Sequence, residues 1–214
     1  MSTVKQTVIF ETITFDPPLD IIYRRLGYRR KTTVLAKKDR DTIDRAIDMA
    51  CTLIHLKGAA RRIAVDQRDE SRVILEGGTV FAGSRLAALL RDCDEVLLMG
   101  ATTGNDILDA VAADTREENL SRAVVLDATA SEMVDMALDW ITSYFNNLLR
   151  REGKRLLKRR YSAGYGDFSL DHQRSFFDLL ELHRIGVAIN DRSILAPEKS
   201  VTAVTGIVHG GNRE

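Results

Sequence analysis

At 214 residues with 44% hydrophobic content, the chain is long enough to bury a substantial core, as one large domain or two small ones. Its 31 basic and 31 acidic side chains cancel, so any affinity for nucleic acid or an anionic membrane must come from a local patch. Cys51 and Cys93 stand far apart and outside any CxxC or Cys/His spacing, which argues against a disulfide framework, a structural zinc site or an iron–sulfur cluster and suits a reducing cytoplasm.

The opening MSTVKQTVIFETITF lacks the apolar core of a signal peptide, and no apolar run approaches the roughly 18 residues of a membrane-spanning helix, so a cytoplasmic protein is expected. TVIFETITF alternates and is rich in β-branched residues, predicting a strand that Pro17 and Pro18 end. PPLDIIYRRLGYRRKT predicts a short helix stopped by Gly27. In DRDTIDRAIDMACTLIHLKG, Asp39 or Asp41 can cap a helix whose stripe is Ile43, Ile47, Ala50, Leu53 and Ile54, with Gly58 as terminator. Ile63–Val65 and Arg72–Leu75 flank a polar turn and predict a hairpin. SRLAALLRDC reads as helix, EVLLMG as a buried strand, NDILDAVAAD as a short helix and RAVVLDA as another buried strand, giving an α/β middle.

The longest helix is predicted from about Ser131 to Arg151, with Met133, Met136, Ala137, Trp140, Tyr144 and Leu148 at helical spacing on a core face. SLDHQRSFFDLLELHR predicts a helix capped by Ser169, followed by strands at IGVAI and SVTAVTGIV around a turn with Pro197 and a frayed HGGNRE tail. Internal repeats, low-complexity stretches and long linkers are missing from the sequence, so residues 1–214 are expected to form a single domain.

Several stretches invite a functional reading. RREGKRLLKRR holds seven basic residues between Arg150 and Arg160 and can be a phosphate-binding patch, a solvated helix face or a docking face for an acidic protein. It lacks the interleaved aromatics of a nucleic-acid site, so no nucleic-acid partner is expected. EVLLMGATTGND, with Gly100, Gly104 and the later Asp127, imitates a nucleotide-binding βαβ unit, the pattern of a Rossmann-type methyltransferase, but lacks the middle glycine. His55, His172, His183 and His209 have no ligand spacing, so neither a metal site nor a catalytic triad is assigned. In KRRYSAGYGDF, Arg160 offers a planar fork for a carboxylate. Ser162, Ala163 and Gly164 let backbone groups approach a flat ring, and Tyr165 offers an aromatic face that suits a cationic sulfonium. The alternative for the same residues is a plain glycine-rich turn.

Arg160-x-x-x-Gly164-Tyr165 resembles the Arg-x-x-x-Gly-Tyr motif of the activation domain of cobalamin-dependent methionine synthase, which binds S-adenosylmethionine. LLRDCDEVLLMGATTG, RAVVLDATASEMVDMALDWI and IGVAINDRSILAPEKSVTAVTGI stand in that family's order, the last similar to its closing Pro-x-Lys-Ser-Val segment, so the likeness covers roughly Gly83 to Ile207. It implies an α+β (mixed α/β) fold, a bent and largely antiparallel sheet flanked by helices, and the length suits a stand-alone version of that domain. It also implies a role in methionine biosynthesis: S-adenosylmethionine is presented while a flavodoxin-like donor supplies an electron, and cob(II)alamin carried by a corrinoid methyltransferase returns to methylcobalamin. By the resemblance, Arg160 holds the ligand carboxylate, backbone at Ser162 and Gly164 the adenine side, Tyr165 the face nearest the corrin, and Asp135 supplies a carboxylate near the ligand. The family's second acidic ligand residue lies six positions before the motif Arg, where this chain has Lys154; Glu152 can substitute after a shift. Since no general base or activated nucleophile accompanies the motif, methyl transfer by the chain alone is not expected. A docking module without its own cofactor is the alternative.

Overall fold

The computed structural model describes residues 6–29 and 33–210. Three long strands form the middle of the protein: β2 (Lys57–Arg68), β5 (Glu95–Thr102) and β9 (Ser200–His209). Around them stand β3 (Arg72–Leu75), β4 (Val80–Ala82) and β6 (Lys154–Leu156), giving the order β4-β3-β2-β5-β9-β6, while β1 (Val8–Phe10) pairs with β2. Every pairing is antiparallel. The register of β2 on β3 shifts between Val65 and Gln67, and an irregularity of this kind bends a long strand. The result is the curled antiparallel sheet flanked by helices that the resemblance implies.

Alternation along β5 divides the interior in two. Leu97, Met99 and Ala101 face a core shared with α5 (Leu120–Arg150) and α4 (Asp106–Arg116), with α2 (Lys37–Leu53) adding Ala50. Val96 and Leu98 face a second core with α3 (Ser84–Leu90) and α6 (Gln173–Leu179). Ile22 of α1 (Leu19–Arg25) joins Ile43, Ile47 and Val125 in a smaller cluster. Glycines let both layers approach the sheet: a Cβ on Gly58 would lie 2.9 Å from Ile141 Cδ1, and one on Gly100 2.8 Å from Leu182 Cδ2.

Several expectations are corrected. RAVVLDA is the beginning of α5, so the long helix starts at Leu120 rather than near Ser131. On that helix Met133 and Ala137 are buried, but Tyr144 and Leu148 are exposed, and Phe10 of β1 sets its ring edge-on to Trp140 and Tyr144. α2 is preceded by Ala36, which makes no side-chain cap; Asp39 lies in its first turn, where its charge favours the helix dipole. Gly58 lies inside β2 and does not end the helix. The stretch after Ser169 is divided in three, with 3-10 turns at Leu170–His172 and Leu182–Ile185 flanking α6, and Glu181, in a left-handed conformation, breaks the chain between α6 and the second turn. That break lets both Leu180 and Leu182 reach the surface opened by Gly100. The hairpin of β7 (Ala188–Ile189) and β8 (Leu195–Ala196) precedes β9. The reading of Arg30 to Thr32 and the end of the frayed tail fall outside the described residues. Among the described residues, no helix is long and apolar enough to cross a membrane.

Gly206 is the tightest of these approaches, since a Cβ there would lie 2.2 Å from Cys93 Sγ and 2.9 Å from Leu157 Cδ1. Gly206→Ala is expected to lower stability by about 1–3 kcal/mol, the usual cost of overpacking. Urea unfolding checks this as a lower midpoint with unchanged slope, and an unchanged midpoint would show that β9 is free to shift away from α3.

Candidate functional site

The outer edge of β9 is only partly covered. β6 pairs with Ile207–His209, and after it the chain returns for one bridge, in which Tyr161 and Val204 exchange both backbone hydrogen bonds at 2.8 Å. Leu157 also donates to Gly206 O, so the even-numbered residues of β9 turn their N–H and C=O outward. By the same alternation the backbone polar groups of Thr202 point away from β5, where the chain has already left the edge. The space beyond is a cleft of 390 Å³ between this edge, Asp135 and Leu138 of α5, and the loop from Arg160 to Tyr165.

The structure brings Asp135, Arg160, Ser162 and Tyr165 to the walls of this one cleft. Tyr165 stands at the mouth with 69% of its surface exposed, beside exposed Leu170 and Ile194. Gly164 has a conformational role: its φ is +89° and its N–H donates to Phe168 O at 2.8 Å, so that donor is held within the turn. Gly166 has φ +59°, and a Cβ there would lie 2.6 Å from Tyr161 Oη. Asp167 then ties the loop to α3, its Oδ2 accepting from Ser84 N and Ser84 Oγ, both at 2.6 Å. Those bonds, the side-chain one foremost, hold its carboxyl below the ordinary range.

Within the cleft Arg160 already has partners. Its Nη1 donates to Asp139 Oδ1 and its Nη2 lies 3.5 Å from the backbone oxygen of Asp135, so the guanidinium lies along α5. The Asp135 side chain is open to the cleft, yet surrounding protein pushes its carboxyl above the ordinary carboxylate range, against the pull of Arg160. Gln173, Glu198 and Thr202 also line the walls. Sequence reasoning did not assign them: Gln173 lies within an apparent amphipathic helix, and Glu198 occupies the variable position of the Pro-x-Lys-Ser-Val segment. Buried Gln173 exchanges hydrogen bonds with Thr202 Oγ1 at 2.9 and 3.1 Å, fixing the cleft floor.

Other residues singled out in the sequence lie outside the cleft. Lys154 pairs with His209 in the strand register, seven residues from Thr202, or about 23 Å at the rise of a strand. Its Nζ bonds Glu95 at 2.5 Å within a group where Arg62 also binds Glu95 and Glu152, so it exerts no close repulsion in the cleft. Glu152, engaged by Arg62, does not stand in as a cleft residue either. Asp127 is helical and holds Lys199 Nζ at 2.7 Å, while Lys199 also donates to Ser131 Oγ at 3.0 Å. With Gly100 packed under Leu182 and the sheet antiparallel, the βαβ reading of Gly100, Gly104 and Asp127 is overturned. A larger open groove of 560 Å³ lies between α2 and the start of α5, but its Arg122 is paired with the buried carboxylate of Asp114, and it lacks the convergence of the smaller cleft.

No protein-family model matches the chain, and no curated protein matches it. Among solved structures, the chain is similar to the crystal structure of the MetH reactivation domain bound to AdoHcy, with a TM-score of 0.68 and 11% sequence identity over 98% of this chain and 80% of that one. At this identity the likeness shows the fold.

Behind the loop, His172 Nε2 accepts from Ala82 N–H at 3.2 Å while its ring stacks on Phe168 at 4.6 Å. An accepting ring nitrogen must be unprotonated, and burial lowers the His172 pKa from its ordinary value. The unfolded chain therefore binds the proton first, so this contribution is complete above about pH 6.5 and declines as pH falls through that value. The unfolding midpoint of the parent is expected to fall more than that of His172→Phe between about pH 7 and 5.5, in urea titrations at each pH. Parallel curves would show that His172 does not titrate differently in the two states.

Proposed function

We propose that the cleft binds S-adenosylmethionine and that the protein supports reductive methylation of cob(II)alamin on a corrinoid methyltransferase such as methionine synthase. The observation that carries this reading is the convergence of Arg160, Ser162, Tyr165 and Asp135 on one cleft, in a fold shared with a reactivation domain bound to AdoHcy. The cleft volume of 390 Å³ lies in the range of about 300–1,000 Å³ usual for small-molecule sites.

The chemistry of the walls fits such a ligand. Arg160 is a cation for the carboxylate. Asp135 and Glu198 are carboxylates for the ammonium and sulfonium. Ser162 and the outward backbone of Thr202 offer donors and acceptors at the level of a flat polar ring, while Tyr165, Leu170 and Ile194 give an apolar mouth. When bound, S-adenosylmethionine supplies an electrophilic methyl group. The chain's own residues orient and enclose it, and the exposed mouth leaves room for a partner to present the acceptor.

Docking is assigned to the basic run. Lys154 and Arg160 are engaged in ion pairs, whereas Arg151, Arg155 and Lys158 are exposed near the C-terminal end of α5 and the β6 edge. These residues suit an acidic surface on a corrinoid protein or a flavodoxin-like electron donor. A second reading, a docking module without its own cofactor, is favoured by one observation, the engagement of Arg160 by Asp139.

Calorimetry separates the two readings. S-adenosylmethionine should bind the parent, and Arg160→Ala should weaken binding by about 1.5–3 kcal/mol, the scale of a hydrogen bond to a charged group. Absence of heat with the parent would favour the docking module. With a cob(II)alamin-loaded methionine synthase lacking its own activation domain, a low-potential reductant and S-adenosylmethionine, the protein should accelerate appearance of the methylcobalamin spectrum. Replacing Arg151, Arg155 and Lys158 by Glu should slow that conversion and leave ligand affinity nearly intact, and salt above physiological strength, where the screening length falls below roughly 8 Å, should slow it too. Methylation of a small molecule or nucleic acid with no corrinoid present would overturn the proposal.

A further inference from the structure

We propose that Asp139 is a specificity-determining residue of the cleft, an internal carboxylate that competes with the carboxylate of the bound ligand for Arg160. The inference rests on the reading of the cleft as an S-adenosylmethionine site and concerns how that site is tuned. Arg160 is the cation among the residues lining the cleft, and Asp139 lies behind it on α5, outside the lining. Nη1 of Arg160 donates to Asp139 Oδ1, and Nη2 is drawn towards the Asp135 backbone oxygen. A guanidinium grips a carboxylate best through two parallel N–H groups. With one of its terminal nitrogens directed at Asp139, the fork meets an incoming carboxylate one-sidedly, unless the Asp139 pair opens.

The exposure of the pair decides between a block and a brake. The Arg160 and Asp139 side chains are 31% and 55% exposed, and ion pairs this open to water hold weakly. Ligand can displace Asp139, but two effects oppose it: the existing pair must be released, and the displaced carboxylate stays one turn from Asp135 on the same helix face, where like charges repel. Both effects act on a ligand through its carboxylate and leave the adenosine and sulfonium contacts alone. Asp139 therefore lowers affinity selectively for amino-acid-bearing ligands and shortens their residence, which suits a site that must exchange ligand after each use.

The test compares S-adenosylmethionine with decarboxylated S-adenosylmethionine, which keeps the ammonium and sulfonium and lacks only the carboxylate. Asp139→Asn removes the charge and retains an acceptor that keeps Arg160 oriented. Calorimetry on the full chain is expected to show S-adenosylmethionine binding about three- to tenfold tighter in the variant, with the decarboxylated ligand no tighter than in the parent. An unchanged or weaker affinity for S-adenosylmethionine, or equal tightening of both ligands, would overturn the role of Asp139 while leaving the site standing. If neither ligand binds parent or variant, the binding reading itself falls, and the role of Asp139 with it.

Discussion

The cleft exists because β9 is longer than its outer partner. β6 covers Ile207–His209, the Tyr161–Val204 bridge extends that cover by one contact, and the chain then turns away from the edge. Everything proposed for this protein depends on where that turn happens. Had pairing continued to Thr202, a strand would fill the space that now opens between the sheet and α5. The departure is enforced locally: Gly164 and Gly166 take left-handed conformations that turn the chain outward, and Asp167 fastens the far side of the loop to α3. The loop is therefore held at both ends, by the bridge at Tyr161 and by the clasp at Asp167, with Arg160 and Tyr165 placed around the opening.

Much of the architecture is legible in the sequence, and the misreadings have physical causes. EVLLMG is a short continuous apolar run and SVTAVTGIV is rich in β-branched residues, and they form the centre of the sheet. RAVVLDA has the same surface features, since a short apolar run does not reveal its period. Its true state follows from a wider view: no glycine or proline interrupts Leu120–Arg150, and Val124 is exposed while Ala123, Val125 and Leu126 are buried, as a helix requires. The break at Glu181 is not legible, because a left-handed glutamate is imposed by what Leu180 and Leu182 must touch, and that contact belongs to the tertiary structure.

The candidate site divides in a similar way. Arg160, Ser162, Tyr165 and Asp135 are chemically conspicuous or carried by resemblance, and they meet at one cleft. Thr202 is invisible to such reasoning because its contribution is backbone left uncovered by a neighbouring strand. Lys154 shows the opposite error. Counting back from Arg160 places it near the ligand, but the intervening chain runs along β9, so a short distance in sequence becomes a long one in space. Lys154 instead shares Glu95 with Arg62, and Glu152 gives the buried guanidinium a second carboxylate, the compensation a buried cation requires.

An uncovered strand edge also bears on association between molecules. Unpaired backbone donors and acceptors are templates for strands of other chains, and proteins that keep such edges defend them by brevity, charge and curvature. Here the open stretch runs only over Ser200–Thr202, Glu198 and Lys199 stand at its entrance, and α5 overhangs it with Asp135. An extended segment needs several consecutive residues to pair, and it would meet these charges and the helix first. A compact ligand needs only one rung of the ladder. The same geometry that admits a small molecule thus makes the edge a poor seed for intermolecular β-pairing.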